Sequence, residues 1–228
     1  MKKIIFGIFA HPDDEAFGPA GTLLMETKSG TELHLITLTT GQAGANPDND
    51  PDLGTVREQE WRTAGSLLGA ARMHSLGFMD GELSNITMLQ AVEKIDAIIT
   101  STIDEQTEPI EIEFMTIDTN GITGHIDHIV AARAACLVFY RQKPSDNRFK
   151  RIRLACLSQR QLPTINTGWL YMEPGHTDSE IDEVVDTRHL REEIIAVMRA
   201  HHTQRADYEA NLARQGEMLG MNYFIVKT

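Results

Sequence analysis

The chain has 228 residues, 41% of them hydrophobic, and carries 21 Lys and Arg against 33 Asp and Glu for a formal net charge of −12. That length supports one large core, and no apolar stretch reaches the roughly eighteen residues of a membrane span. The acidic balance argues against a nucleic-acid footprint, which relies on clustered Lys and Arg, and two cysteines without CxxC spacing, Cys136 and Cys156, read as buried reduced thiols.

The run from Lys2 to Ala10 (KKIIFGIFA) reads as a buried strand. Acids follow it at once where a secretory signal would carry a cleavage site, so the expectation is a cytoplasmic protein. Ala20 to Ser29 has helix character, Glu32 to Thr40 is strand-like, and Thr55 to Leu68 has apolar residues at helical spacing. Between the last two lies Gly41 to Leu53 (GQAGANPDNDPDL), a functional loop by length and composition. Met73 to Phe78 predicts a short strand, Met88 to Ile103 a helix, Glu111 to Ile117 a strand and Ile126 to Tyr140 a helix. Arg153 to Leu157, Trp169 to Met172 and Glu183 to Val185 predict short peripheral strands. A long amphipathic helix from Arg188 to Arg214 then precedes a last strand, Tyr223 to Val226. This alternation predicts an α/β fold, a doubly wound and mostly parallel sheet with helices on both faces, as a single domain over residues 1–228.

In such a sheet, ligands bind beyond the carboxyl ends of the strands. Four unusual clusters fall at those ends: His11-Pro12-Asp13-Asp14-Glu15, Thr40 to Gly44, Gly77 to Gly81, and Thr123-Gly124-His125-Ile126-Asp127-His128. His11 and Asp14 lie three apart in a proline-stiffened turn, so a ring nitrogen and a carboxylate can converge on one ion, and His128 can add a second imidazole. Two histidines, a carboxylate and an open water position match a catalytic zinc site. The same ligand types also suit Fe(II) or another divalent ion. Asp13 is then left beside the metal to take a proton from water, His125 can donate a proton or stabilise an oxyanion, and Asp127 can orient one of the histidines. Each piece has a plainer reading: Asp13 and Asp14 can cap the helix that follows, and His125 and Asp127 can be loop residues satisfied by backbone groups. Their coincidence at three separate strand ends favours the site.

The stretches AHPDDEAFGPAGTL, LGTVREQE, FMDGEL and GHIDHI, in that order and spacing, resemble the LmbE-like family of zinc-dependent N-deacetylases, also called the PIG-L family. The resemblance implies a Rossmann-like fold, one Zn2+ and a small-molecule amino-sugar substrate such as an N-acetylglucosamine conjugate. It also implies His11, Asp14 and His128 as metal ligands, Asp13 as general base, His125 as the residue facing the tetrahedral intermediate and Asp127 as its orienting partner. Arg57 and Asp80 match positions used for substrate hydroxyls, and His201, within AHHTQ, matches a further signature that with Gln204 lines a pocket or lies on a solvated helix face. Ile126 stands where the family commonly has proline, which changes loop stiffness more than chemistry. Trp61, Trp169 and Tyr171 read as packing more than as sugar platforms.

The leading expectation is therefore a zinc hydrolase that removes an N-acetyl group from an amino sugar. The alternative keeps the site and cleaves a larger amide of a sugar–thiol conjugate. A non-catalytic nucleotide-binding α/β domain is disfavoured, because no GxGxxG turn follows the first strand. The sequence leaves open the aglycone and whether the chain forms a homo-oligomer.

Overall fold

The computed structural model describes residues 1–167 and 171–228. The strands are β1 (Lys2–Phe9), β2 (Glu32–Thr39), β3 (Ala70–Phe78), β4 (Ile110–Ile117), β5 (Phe149–Cys156), β6 (Glu183–Asp186) and β7 (Met221–Lys227). The helices are α1 (Asp14–Phe17), α2 (Ala20–Lys28), α3 (Leu53–Leu68), α4 (Asn85–Asp104), α5 (Ile126–Gln142), α6 (Arg191–Ala200) and α7 (Arg205–Gln215). Among the described residues the strands form one sheet in the order β3-β2-β1-β4-β5-β7-β6. The first five are mutually parallel, and β7 pairs antiparallel with both β5 and β6. The doubly wound, mostly parallel sheet expected from the alternation is the one observed.

Strand β1 shows why its sequence is so apolar. Successive side chains point to opposite faces of a sheet, and both faces here are covered. Ile4, Phe6 and Ile8 pack with Ile95 and Ile99 of α4 and Ala131, Ala134 and Val138 of α5. Ile5 and Phe9 pack on the other side with Leu23 of α2, Trp61 of α3 and Val197 of α6. Phe114 of β4 has no exposed surface and meets the rings of Phe6, Phe139 and Phe149 edge-on, with centroids 5.9, 5.7 and 5.8 Å apart.

Three expectations need correction. The run predicted as a peripheral strand over 153–157 is, through residue 156, the end of the interior strand β5, which adjoins β4 on one side and β7 on the other. The predicted long helix from Arg188 to Arg214 is two helices, because the chain turns at His201 (ψ 63°) and passes through a 3-10 turn at His202–Gln204. Met172 makes only an isolated bridge with Asn166, and Trp169 lies outside the described residues.

The chain order places the switch point of the sheet between β1 and β4, the position at which open α/β sheets form a crevice at the strands' carboxyl ends. Both chemistry-rich motifs follow these two strands.

Candidate active site

His11 lies two residues beyond the end of β1 and His128 sits in the first turn of α5, reached from the end of β4. Their rings approach so that His128 Nε2 lies 3.1 Å from His11 Nδ1 and 3.1 Å from Asp14 Oδ1; His11 Nδ1 is 3.8 Å from Asp14 Oδ2. All three residues are nearly enclosed, with His11 7% and Asp14 8% exposed.

The far side of each ring fixes which nitrogen is bare. His128 Nδ1 lies 3.0 Å from the carbonyl oxygen of Gly121, which can only accept, so Nδ1 carries the proton. His11 Nε2 faces the carboxylates of Asp80 at 3.0 Å and Asp127 at 3.3 Å, so its proton sits there. Neutral His11 and His128 thus aim two lone pairs at one point, next to a carboxylate oxygen. That arrangement is repulsive without a cation between the donors, and the acceptors behind each ring are the outer-shell partners typical of metal-bound imidazoles. The same demand raises the proton affinity of both rings. Burial opposes the imidazolium of His11, but Asp127, Asp80 and Asp14 outweigh it and lift the pKa to about 10. At His128 burial again opposes the charge and Asp14 overcomes it. Asp14 itself is disfavoured by burial yet held well below the usual carboxylate range by His128 and His11.

A second grouping, His11 with His125 and Asp127, also falls within metal-ligand reach. It is the poorer set, because the Asp127 carboxylate already accepts backbone N–H groups from Gly81 at 2.7 Å and Leu83 at 3.1 Å. His125 caps α5, its Nδ1 accepting the Asp127 N–H at 3.1 Å, which leaves the proton of the neutral ring on Nε2. Burial, then His128 and His11, lower its pKa, so the ring favours that neutral form. The resemblance implied that Asp127 orients His125; its carboxylate instead bonds His11 and the 81–83 backbone, and only its N–H meets His125.

Asp13 is adjacent to the donor set but is not one of the converging donors. Its backbone is in the left-handed region (φ 117°), rare for a non-glycine residue and tolerated best by Asp and Asn. Its Oδ2 is held at 2.8 Å by Arg57 Nη2, which also donates to Pro12 O at 2.6 Å, while Nη1 donates to Gly41 O at 2.7 Å. Burial pushes the Asp13 pKa up, Arg57 pulls it back and Asp14 raises it again, for a result of about 6. Arg57 was expected at a substrate hydroxyl; it is 3% exposed and spent on Asp13 and two carbonyls. Asp80, expected in the same role, accepts from His11 and from the Ala43 N–H at 3.1 Å.

His201 is likewise neither pocket-lining nor on a solvated face. It is fully enclosed, with Nε2 2.8 Å from Glu15 Oε1, while Glu15 Oε2 accepts the Asp13 N–H at 3.2 Å. Burial opposes charge on His201, and Glu15 raises its pKa above the ordinary value. Gln204 donates to Ala45 O at 2.9 Å. Glu15, with no exposed surface, went unassigned in the sequence, although a third consecutive acid after a buried strand was its signal.

The expected functional loop wraps the guanidinium of Arg57. A Cβ on Gly41 (φ 67°) would lie 2.4 Å from Arg57 Cζ, and one on Gly44 would lie 2.2 Å from Nη1. Gly41→Ala should therefore displace Arg57 from Asp13. The expected result is a kcat at least about tenfold lower, with the cooperative unfolding transition retained; wild-type kcat in that variant would show that Arg57 does not position Asp13.

Beside Asp14 and His128 opens a cavity of about 420 Å3 that reaches α7 and the start of β7. Tyr171 is half-exposed, and its carbonyl stands 2.5 Å from where a Cβ on Gly124 would be.

Residues 6–139 match the PIG-L family model, described as GlcNAc-PI de-N-acetylase. The chain is 24% identical to a probable N-acetyl-alpha-D-glucosaminyl L-malate deacetylase 2 of Bacillus anthracis, over 95% of this chain and 88% of the relative. It is 28% identical to the 1D-myo-inositol 2-acetamido-2-deoxy-alpha-D-glucopyranoside deacetylase of Mycolicibacterium gilvum (strain PYR-GCK), over 89% and 80%. Among solved structures, the N,N'-diacetylchitobiose deacetylase of Pyrococcus horikoshii superposes with a TM-score of 0.66 at 17% identity, covering 99% of this chain and 83% of that one. The 4-carboxy-2-hydroxymuconate hydratase GalB of Pseudomonas putida KT2440 superposes with a TM-score of 0.63 at 12% identity, covering 100% and 97%. The fold thus hosts more than one chemistry, and activity must be argued from the site.

Proposed function

The chain belongs to the PIG-L family, and from that membership we propose that it is a zinc-dependent N-deacetylase that hydrolyses the acetamide of an N-acetylglucosamine conjugate. The observation that carries the reading is the convergence of His11 Nδ1, His128 Nε2 and Asp14 Oδ1, with an unligated carboxylate, Asp13, beside them.

In this reading His11, Asp14 and His128 hold the ion. Zinc bound there supplies a Lewis acid that polarises the amide carbonyl and acidifies water. The Asp13 oxygen that Arg57 leaves unbonded accepts the proton of the attacking water, and a pKa near 6 keeps that oxygen ionised at neutral pH. His125 offers its Nε2–H to the carbonyl oxygen as negative charge develops on it. Asp80 and Asp127 hold the His11 ring in the tautomer that presents Nδ1. The amine leaves with the proton that Asp13 took, and acetate is the second product.

The two relatives are named for substrates that share the acetylated glucosamine and differ in the group it carries, malate in one and inositol in the other. The proposal therefore extends to the sugar and its acetamide. Cleavage of a larger amide has no observation of its own in its favour. The strands from Lys2 to Lys227 share one sheet, which supports reading the chain as a single catalytic domain. Among the described residues no helix is long and apolar enough to cross a membrane, and a cytoplasmic location is part of this proposal.

The test is acetate release from N-acetylglucosamine, its phosphates, diacetylchitobiose, N-acetylglucosaminyl malate and the inositol glycoside, each with zinc-loaded protein. Turnover of at least one is expected. Absence of acetate from all of them, with zinc bound, would overturn the reading.

A further inference from the structure

A cavity of about 420 Å3 is within the range that encloses a ligand far larger than an acetamide. The end beside Asp14 and His128 belongs to the reacting group, so the other end must meet whatever the sugar carries. Ile117, Ile122 and Met172 form part of its wall, and the charged side chains that line it are Asp14, Asp207 and Arg214. Asp14 is committed to His128 and to the Ala10 and His11 N–H groups, both at 3.0 Å. Asp207 lies two turns before Arg214 on α7 and makes no ion pair with it.

Most arginines of this acidic chain are paired, and Arg214 is the unpaired one that lines the cavity. Arg57, Arg153 and Arg205 each hold a carboxylate, at 2.8, 2.8 and 2.6 Å. Arg214 has no hydrogen bond or ion pair among the described residues. It stays open to solvent, yet enough protein surrounds it that burial lowers its pKa with no acid to raise it again. A guanidinium stays cationic under such a shift, and this one lines a cavity with apolar walls and has no anion beside it. A ligand anion would supply the partner it lacks.

We propose that Arg214 is a binding residue for an anionic oxo group, carboxylate or phosphate, on the part of the substrate attached to the amino sugar. The planar N–H edge of a guanidinium matches either group with two parallel hydrogen bonds. The inference rests on the deacetylase reading for the sugar half of the ligand. It makes α7 the element that selects among glucosamine conjugates by charge.

Binding of deacetylated ligands separates this subsite from the chemistry. Calorimetry on the zinc-loaded protein would compare methyl glucosaminide, which has a neutral aglycone, with glucosaminyl malate and glucosamine 1-phosphate. At least one anionic ligand should bind about tenfold or more tightly than the neutral one, and the two arms tell carboxylate from phosphate. Arg214→Met should abolish that advantage and leave the neutral ligand within about twofold of its wild-type affinity. Arg214→Lys should retain part of the advantage, having the charge without the fork. Equal wild-type affinity for all three ligands, or a preference that survives Arg214→Met, would overturn the proposal. Acetate release from the acetylated forms is read in parallel. Turnover without anion preference defeats the subsite alone, whereas anion preference without turnover supports the subsite and defeats the deacetylase reading.

Discussion

Replacing Asp13 with asparagine should lower kcat by about 10²–10⁴ while bound metal stays at its wild-type level. The substitution removes the proton acceptor and little else. Asparagine tolerates the left-handed backbone that Asp13 adopts (φ 117°), and its amide oxygen can still accept from Arg57 Nη2. Because Asp13 is not among the converging donors, KM and metal affinity should change much less than kcat. Asp14→Asn should differ in kind. Asp14 places Oδ1 toward His128 while Oδ2 takes the Ala10 and His11 N–H groups, so the variant keeps its shape and loses an anionic ligand. Metal affinity should fall first, and added zinc should restore part of the rate. A metal-free Asp13→Asn rescued by zinc, beside a metallated and inactive Asp14→Asn, would reverse the two roles. Full activity in both would reduce the acidic turn to a helix cap.

His128→Ala should lose its metal, with affinity down by more than about a hundredfold. Outer-shell partners alone are worth about 10–100-fold, and this change removes a direct ligand. It leaves His11 Nδ1 and Asp14 3.8 Å apart, facing the space where the second imidazole stood. His128 is in the first turn of α5, and α5 buries Val130, Ala131, Ala134, Ala135 and Val138 against the sheet, so the helix should persist in the variant. Metal content by atomic absorption, with circular dichroism as the control for folding, checks this. Wild-type stoichiometry in the variant would remove His128 from the ligand set.

The strand ends were legible because their signals are local. A run such as KKIIFGIF is apolar on both faces, as a covered parallel strand must be, and histidines and acids crowded at its end have few structural uses. The HxxD spacing likewise sits within one turn of chain. What stayed hidden depends on distant partners. The short run from Arg153 to Leu157 read as a peripheral strand, yet Arg153 is 1% exposed and paired with Glu26 at 2.8 Å and Glu113 at 3.2 Å. The apolar spacing from Arg188 to Arg214 carried no mark of a break. That break is where His201 turns inward to Glu15, 186 positions earlier in the chain. The family resemblance put Arg57 and Asp80 at substrate hydroxyls, and nothing local in the sequence shows that one is bonded to Asp13 and the other to His11. Arg214 read as the end of an amphipathic helix, since only the folded cavity shows that it faces the same space as Asp14.

The most direct measurement is a titration of zinc into chelator-stripped protein, with acetate release from the best N-acetylglucosamine conjugate followed at each addition. The account predicts no turnover without metal, a rate that rises linearly and levels off at one zinc per chain, and the same binding curve with little rate in Asp13→Asn. Acetate release by the metal-free protein, or one zinc bound per chain with no acetate formed, would contradict it.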